Sequence, residues 1–96
     1  MHQVIKMITS RLRDEIPDIK LDTNPCDLDG LVVYTAKASK SYVILFMIDG
    51  TSIIYGVLNN RGIIFESTEY DVANPICDFE KYIDKCVDKI KKAMKV

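Results

Sequence analysis

The stretch that decides the fold is Tyr42-Val43-Ile44-Leu45-Phe46-Met47-Ile48-Asp49-Gly50-Thr51-Ser52-Ile53-Ile54-Tyr55-Gly56-Val57-Leu58. Two runs rich in β-branched and aromatic residues meet at Asp49-Gly50, the pattern of two strands joined in a hairpin. Working outward, Leu31-Val32-Val33-Tyr34-Thr35-Ala36-Lys37 precedes this pair. Ile63-Ile64-Phe65-Glu66-Ser67-Thr68-Glu69-Tyr70 follows it, across the turn residues Asn59-Asn60-Arg61-Gly62. The expectation is a four-stranded antiparallel meander.

A type I′ turn at Asp49-Gly50 needs positive φ at both central positions. Centred there, it pairs Ile48 with Thr51, Phe46 with Ile53 and Ile44 with Tyr55. Turns at Ser39-Lys40 and Asn60-Arg61 carry the same alternation to the outer strands, because side chains switch faces at every residue. One face then holds Val32, Tyr34, Ala36, Val43, Leu45, Met47, Ile54, Gly56, Leu58, Ile63 and Phe65. It is nearly all apolar and is expected to be the core. The other holds Val33, Thr35, Lys37, Tyr42, Ile44, Phe46, Ile53, Tyr55, Val57, Ile64, Glu66 and Thr68, polar at its margins and apolar in its middle. Gly56, inside a strand, marks where a bulge would sit.

Helices are expected at both ends. Val4, Ile5, Ile8, Leu12 and Ile16 form an amphipathic stripe that Pro17 stops. Asn74-Pro75 opens a second helix, with Asn as N-cap and Pro in the first helical position. Ile76, Phe79, Ile83, Cys86, Val87, Ile90 and Met94 line its apolar side. Asp78, Glu80 and Asp84 near its start and Lys89, Lys91, Lys92 and Lys95 near its end suit the helix dipole. Asp18-Ile19-Lys20-Leu21-Asp22 alternates, which admits a short extra edge strand near 19–22, and Thr23-Asn24-Pro25-Cys26-Asp27-Leu28-Asp29-Gly30 reads as loop. The chain is therefore expected to be one α+β domain over 1–96, in the order α-β-β-β-β-α.

Composition narrows the function more than it names one. Ninety-six residues with a formal charge of −1 do not supply the basic surplus by which proteins grip nucleic acid irrespective of sequence. No apolar run approaches the roughly 20 residues a membrane-spanning helix needs, and the N-terminus lacks a signal-peptide pattern. The three cysteines, Cys26, Cys77 and Cys86, form no CxxC pair. Reduced thiols in a cytoplasmic protein are the expectation. Neither a cofactor nor a metal is called for.

The motifs that invite chemistry lack their complements. Asp27-Leu28-Asp29-Gly30 resembles part of a calcium loop, but Pro25 and Ala36 stand where ligands are required. Cys77 at a helix start favours thiolate, yet the lone histidine, His2, lies at the terminus. The four glycines fall singly, so no phosphate-cradling loop is formed. Glu66 and Glu69 are an odd step apart and point to opposite faces.

What remains is the second face. With both helices on the first, Tyr42, Ile44, Phe46, Ile53, Tyr55 and Ile64 would form an exposed apolar and aromatic patch, the mark of a contact surface. The preferred expectation is a non-catalytic protein-interaction module, a homodimer or a regulator or inhibitor of another protein. A phage- or mobile-element origin would suit its size. On this reading Phe46→Asp and Tyr55→Asp leave a folded monomer that no longer associates. Two alternatives stand beside it. One is a ligand-binding or enzymatic pocket between sheet and helices, with Cys77 or Tyr34 as the residues to test. The other is a single-stranded nucleic-acid platform using Tyr42, Phe46 and Tyr55.

Overall fold

The computed structural model describes residues 2–95, apart from the side chains of His2 and Leu28. The expectation concerning the His2 side chain thus lies outside the described residues. Two helices, α1 (His2–Leu12) and α2 (Phe79–Met94), enclose six strands in the chain order. These are β1 (Lys20–Leu21), β2 (Cys26–Leu28), β3 (Leu31–Lys37), β4 (Val43–Asp49), β5 (Ser52–Asn59) and β6 (Gly62–Glu69). All pairings are antiparallel, so the expected α+β class holds, with two more strands than the meander alone. Among the described residues no helix is long and apolar enough to cross a membrane.

The central meander follows its apolar runs closely. β3, β4, β5 and β6 lie side by side in that order, and β1 and β2 both pair with β3 along its outer edge. β1 fulfils the edge strand admitted near 19–22. β2 lies in the segment read as loop. Its three residues are too few to show alternation, and the strand is created by its turn. Asp29 and Gly30 adopt φ of 53° and 83°, the double positive φ of a type I′ hairpin, and Leu28 pairs with Leu31 across them.

Three local details reset the face assignments. Residues 38–42 connect β3 to β4, with the Ala38 and Ser39 N–H groups donating to the Tyr42 carbonyl. This odd-length connection pairs Tyr34 with Phe46 and Ala36 with Ile44, where an even turn would pair them with Leu45 and Val43. At the next hairpin Asp49 pairs with Ser52, and positive φ occurs at Gly50 but not at Thr51. The pairing moves by two residues, so Phe46 meets Tyr55 while the faces are retained. Between β5 and β6, Leu58 pairs with Ile63 but Val57 pairs with Phe65, leaving Ile64 as a bulge. The bulge sits on β6, beside the position that Gly56 suggested, and moves Phe65 to the other face.

Both helices pack on the face formed by Tyr34, Ala36, Ile44, Phe46, Ile53, Tyr55 and Val57. From α1 come Val4, Ile5, Ile8 and Leu12, and from α2 come Ile83, Cys86, Ile90 and Met94. While Tyr34, Ala36 and Phe65 stay on the core side as expected, on β4 and β5 the face expected to lie open is therefore the covered one. Its aromatic rings give it more apolar area to remove from water than the aliphatic face opposite.

The helix ends also differ from expectation. α1 stops at Leu12, and its chain tightens through Glu15 N–H to Leu12 O (3.1 Å) and Ile16 N–H to Leu12 O (2.8 Å) before Pro17. α2 begins at Phe79. Asn74 instead closes its own turn, accepting the Ile76 N–H on Oδ1 and the Cys77 N–H on its carbonyl, and Asp78 is extended. Ile76 is consequently 91% exposed and lies off the helix stripe.

Candidate interaction surface

The side of the sheet away from the helices is covered by neither of them. Register places Val33, Thr35 and Lys37 of β3 and Val43, Leu45 and Met47 of β4 on this side. Ile54, Gly56 and Leu58 of β5 and Ile63, Glu66 and Thr68 of β6 complete it. Leu45, Met47, Ile54 and Leu58 are half-buried by their lateral neighbours alone, while Ile63 is 60% exposed. Apolar side chains thus run without interruption across three strands.

Its middle is dimpled. A depression of about 40 Å³ is bordered by Leu45, Met47, Ile54, Leu58, Ile63 and Glu66 around Gly56. The missing side chain at Gly56 has a local cause. A Cβ there would lie 2.9 Å from the Phe65 carbonyl oxygen, which the adjacent bulge brings close. The volume is close to one water's share of the liquid, far below that of a metabolite pocket.

The six residues expected to contact a partner are distributed quite differently. Ile44, Phe46, Ile53 and Tyr55 are core residues at 0–1% exposure, and Tyr42 packs against that core. Ile64 alone is exposed, at the β6 bulge. The stacking platform fails for the same reason: Phe46 and Tyr55 lie under the helices, and the bare face contains aliphatic side chains in their place.

The buried side carries a polar cluster around Glu69. Tyr55 Oη donates to Glu69 Oε1 at 3.0 Å, and Lys89 Nζ lies 2.7 Å from the same oxygen and 3.3 Å from Ser67 Oγ. Cys86 is buried beside this group, and desolvation pushes its thiol from 9.0 up to about 12. Desolvation likewise drives the Tyr55 phenol upward. Both groups stay protonated near neutrality, which suits a satisfied structural network and not a nucleophile.

Cys77 lines a groove of about 290 Å³ between α1 and residues 72–79, with Met7, Val72 and Phe79 among its walls. Its thiol lies 2.8 Å from the Asp71 carbonyl oxygen. The polar lining side chains besides it are the amides of Gln3 and Asn74, which cannot take a proton. Tyr34 belongs to the core. The aspartate-rich turn does local work, with Asp27 Oδ1 accepting the Gly30 N–H at 3.1 Å. Among the described residues no group of three or more His, Cys, Asp or Glu side chains is placed to hold a metal ion.

A shallow concavity of about 580 Å³ lies at the β1–β3 edge, between Glu15 and Asp18 on one side and Lys20, Lys37 and Lys40 on the other. Those charged side chains are exposed and of both signs, and no buried polar side-chain atom lacks a hydrogen-bond partner among the described residues. On α2, Lys89 pairs with Glu69, Lys91 with Glu15 and Lys92 with Asp88, so the lysine-rich end is engaged within the chain. No protein-family model matches the chain, and no curated protein or solved structure matches it significantly.

Proposed function

We propose that this chain acts by binding another polypeptide through the bare face of its sheet, as a non-catalytic interaction module. The observation that carries the reading is the unbroken apolar strip formed by Leu45, Met47, Ile54 and Leu58 on the side the helices leave open. Contiguous apolar surface of this kind is costly to leave in water and tends to mark contacts. The chemistry elsewhere supports the same choice. The buried cysteine and tyrosine are held protonated, and the groove beside Cys77 offers amides where a base is needed.

The module is a regulator, inhibitor or assembly subunit by this reading, working in a reducing cytoplasm where its three unpaired thiols persist. Ile54→Asp tests it. The variant should still unfold in one cooperative thermal transition and lose the assemblies that the wild type forms. Two readouts apply: light scattering of the purified chain and the native size of the tagged chain in its source cell. A variant that matches the wild type in both overturns the proposal.

A further inference from the structure

We infer that the open edge of β6 takes an extended segment of another polypeptide, which pairs with it as an added strand and sets a lysine or arginine beside Glu66. The surface is the margin of the sheet and not its bare face, so the inference stands apart from the reading above. The two edges of the sheet are finished differently. Along β3, Lys20 and Leu21 pair with Lys37 and Ala36, and residues 26–28 pair with 31–33. Between them the Asp22 N–H donates to the Thr35 carbonyl. β6 ends the strand order and pairs with β5 alone.

Backbone direction shows what β6 leaves unmet. Past the bulge, residues 65–69 pair regularly with β5. A Cβ at Gly56 would lie 2.9 Å from the Phe65 carbonyl oxygen and 3.9 Å from its carbonyl carbon, so that oxygen points towards β5. The N–H and C=O of one residue leave a strand on the same side, and successive residues alternate. Phe65, Ser67 and Glu69 therefore turn theirs to β5, while Glu66 and Thr68 turn theirs outward. Among the described residues no backbone hydrogen bond beyond the strand ladder involves residues 62–69. Edges that stay single are commonly guarded by lysine, proline or a bulge. β6 has neither lysine nor proline, and its bulge guards only the first part, beside the exposed Ile63 and Ile64.

Hydrogen bonding makes the occupant an extended backbone, since outward donors and acceptors at strand spacing are what another strand matches. Charge selects its side chain. Glu66 is exposed and makes no ion pair among the described residues. Its cross-strand partner is Gly56. Of the neighbouring charges, Glu69 turns under the sheet to Lys89, Asp71 accepts from Thr51, and Arg61 sits in the hairpin turn beyond the bulge. A basic residue on the added strand would face Glu66 directly, and opposite charges so placed attract. A second copy of β6 suits this edge less well. Antiparallel pairing of Glu66 with Thr68 of the copy uses both outward residues, yet it sets the two Glu66 carboxylates diagonally on one face, where like charges repel.

The test is amide hydrogen exchange of the purified chain, residue by residue, with and without a probe. The probe is a synthetic peptide of about seven residues, alternating valine and threonine around one central lysine. In the dilute chain alone, the Phe65, Ser67 and Glu69 amides should exchange slowly and those of Glu66 and Thr68 fast. Saturating peptide should slow the Glu66 and Thr68 amides by about tenfold or more. The same peptide N-methylated at every residue keeps its side chains, loses its donors and should leave both amides fast. Thr68→Pro removes one outward N–H while the ladder to β5 stays, and should weaken peptide binding roughly tenfold. Glu66→Lys should weaken it several-fold. Ile54→Asp, which tests the bare face, should leave the protection in place, so the two readings fail separately. Three results overturn the inference: Glu66 and Thr68 amides already slow in the dilute chain, no added protection at millimolar peptide, or equal protection by the N-methylated peptide. Protection that grows with chain concentration alone overturns it in favour of a second copy.

Discussion

The two faces of this sheet are built from the same strands and differ in what they present. The covered face carries Tyr34, Phe46, Tyr55 and Phe65, with the Tyr55 and Phe65 ring centroids 6.0 Å apart. The bare face carries Leu, Met, Ile and Val around a glycine dimple. Both are apolar enough to be a core. The chain has helical surface for one of them, and the helices occupy the face whose burial removes the larger rings from water. The comparison separates two properties that hydrophobicity alone confuses, since the apolar residues of one face hold the helices and those of the other are left bare by them.

The sharpest way to break this comparison is to place a charge on each face in turn. Phe46→Asp puts a carboxylate at a site with 0% exposure inside the apolar core. The expected cost exceeds about 5 kcal/mol, comparable with the whole stability of a domain this size, so the chain should be unfolded by circular dichroism. Ile54→Asp should cost about 1 kcal/mol or less in the monomer, because its side chain already meets water. Similar losses from the two substitutions would refute the assignment of faces. This reverses the expectation drawn from alternation alone, in which Phe46→Asp leaves a folded monomer.

That reversal shows what was legible in the residues. The four long strands were legible because their runs are apolar, β-rich and bounded by turn residues, and both helices were legible from their stripes. Face identity was not. It depends on whether a connection has an odd or even number of residues, and nothing in Ser39-Lys40 declares that the chain crosses in five. The bulge at Ile64 was visible only through its shadow, Gly56. The two Asp-Gly pairs make the same point. Asp29-Gly30 takes the type I′ geometry, while at Asp49-Gly50 the ladder extends to Asp49 and the turn moves on to Gly50 and Thr51. Local chemistry permits both, and the neighbouring strands choose.

The polar cluster under α2 sharpens the comparison through pH. Cys86 binds its proton more tightly in the folded chain, with its pKa raised from 9.0 to about 12. Below pH 9 both states are protonated and the folded state has its full stability. Above it the unfolded chain releases the proton first, so stability falls as pH rises from about 9 towards 12. The Tyr55 shift acts in the same direction. Urea midpoints should therefore decline by an amount worth about 1 kcal/mol or more between pH 8 and pH 10.5. Cys86→Ala should make that decline shallower. An unchanged slope would show that the Cys86 thiol does not drive it.

Gly56→Ala probes the seam between the faces. The added Cβ would meet the Phe65 carbonyl oxygen at 2.9 Å, and strand backbone cannot yield as a flexible side chain does. The expected loss is about 1–2 kcal/mol, with the bulge displaced and the dimple on the bare face filled. A stabilised variant, measured by thermal denaturation, would mean that the bulge relaxes without strain and that glycine is not required there.

The smallest effect concerns how the cover is fastened. Arg11 on α1 pairs with Asp84 and lies 3.3 Å from Glu80, while Lys91 on α2 lies 2.7 Å from Glu15. The Arg11 contacts bridge the two helices on their solvent side, the Lys91 contact ties α2 to the turn after α1, and the carboxylates at Glu80 and Asp84 are more than half exposed. Water and salt screen such pairs, and ordering long side chains offsets part of their attraction. Arg11→Ala should therefore lower stability by less than about 1 kcal/mol, with the difference shrinking further in high salt. The adjoining buried positions, Ile8, Leu12 and Ile83, remove apolar surface from water at a scale of about 1.5–3 kcal/mol each. If Arg11→Ala instead produced a loss of several kcal/mol, the helical layer would be held by its charged seam. The covered face would then owe its cover to electrostatics rather than to the rings beneath it.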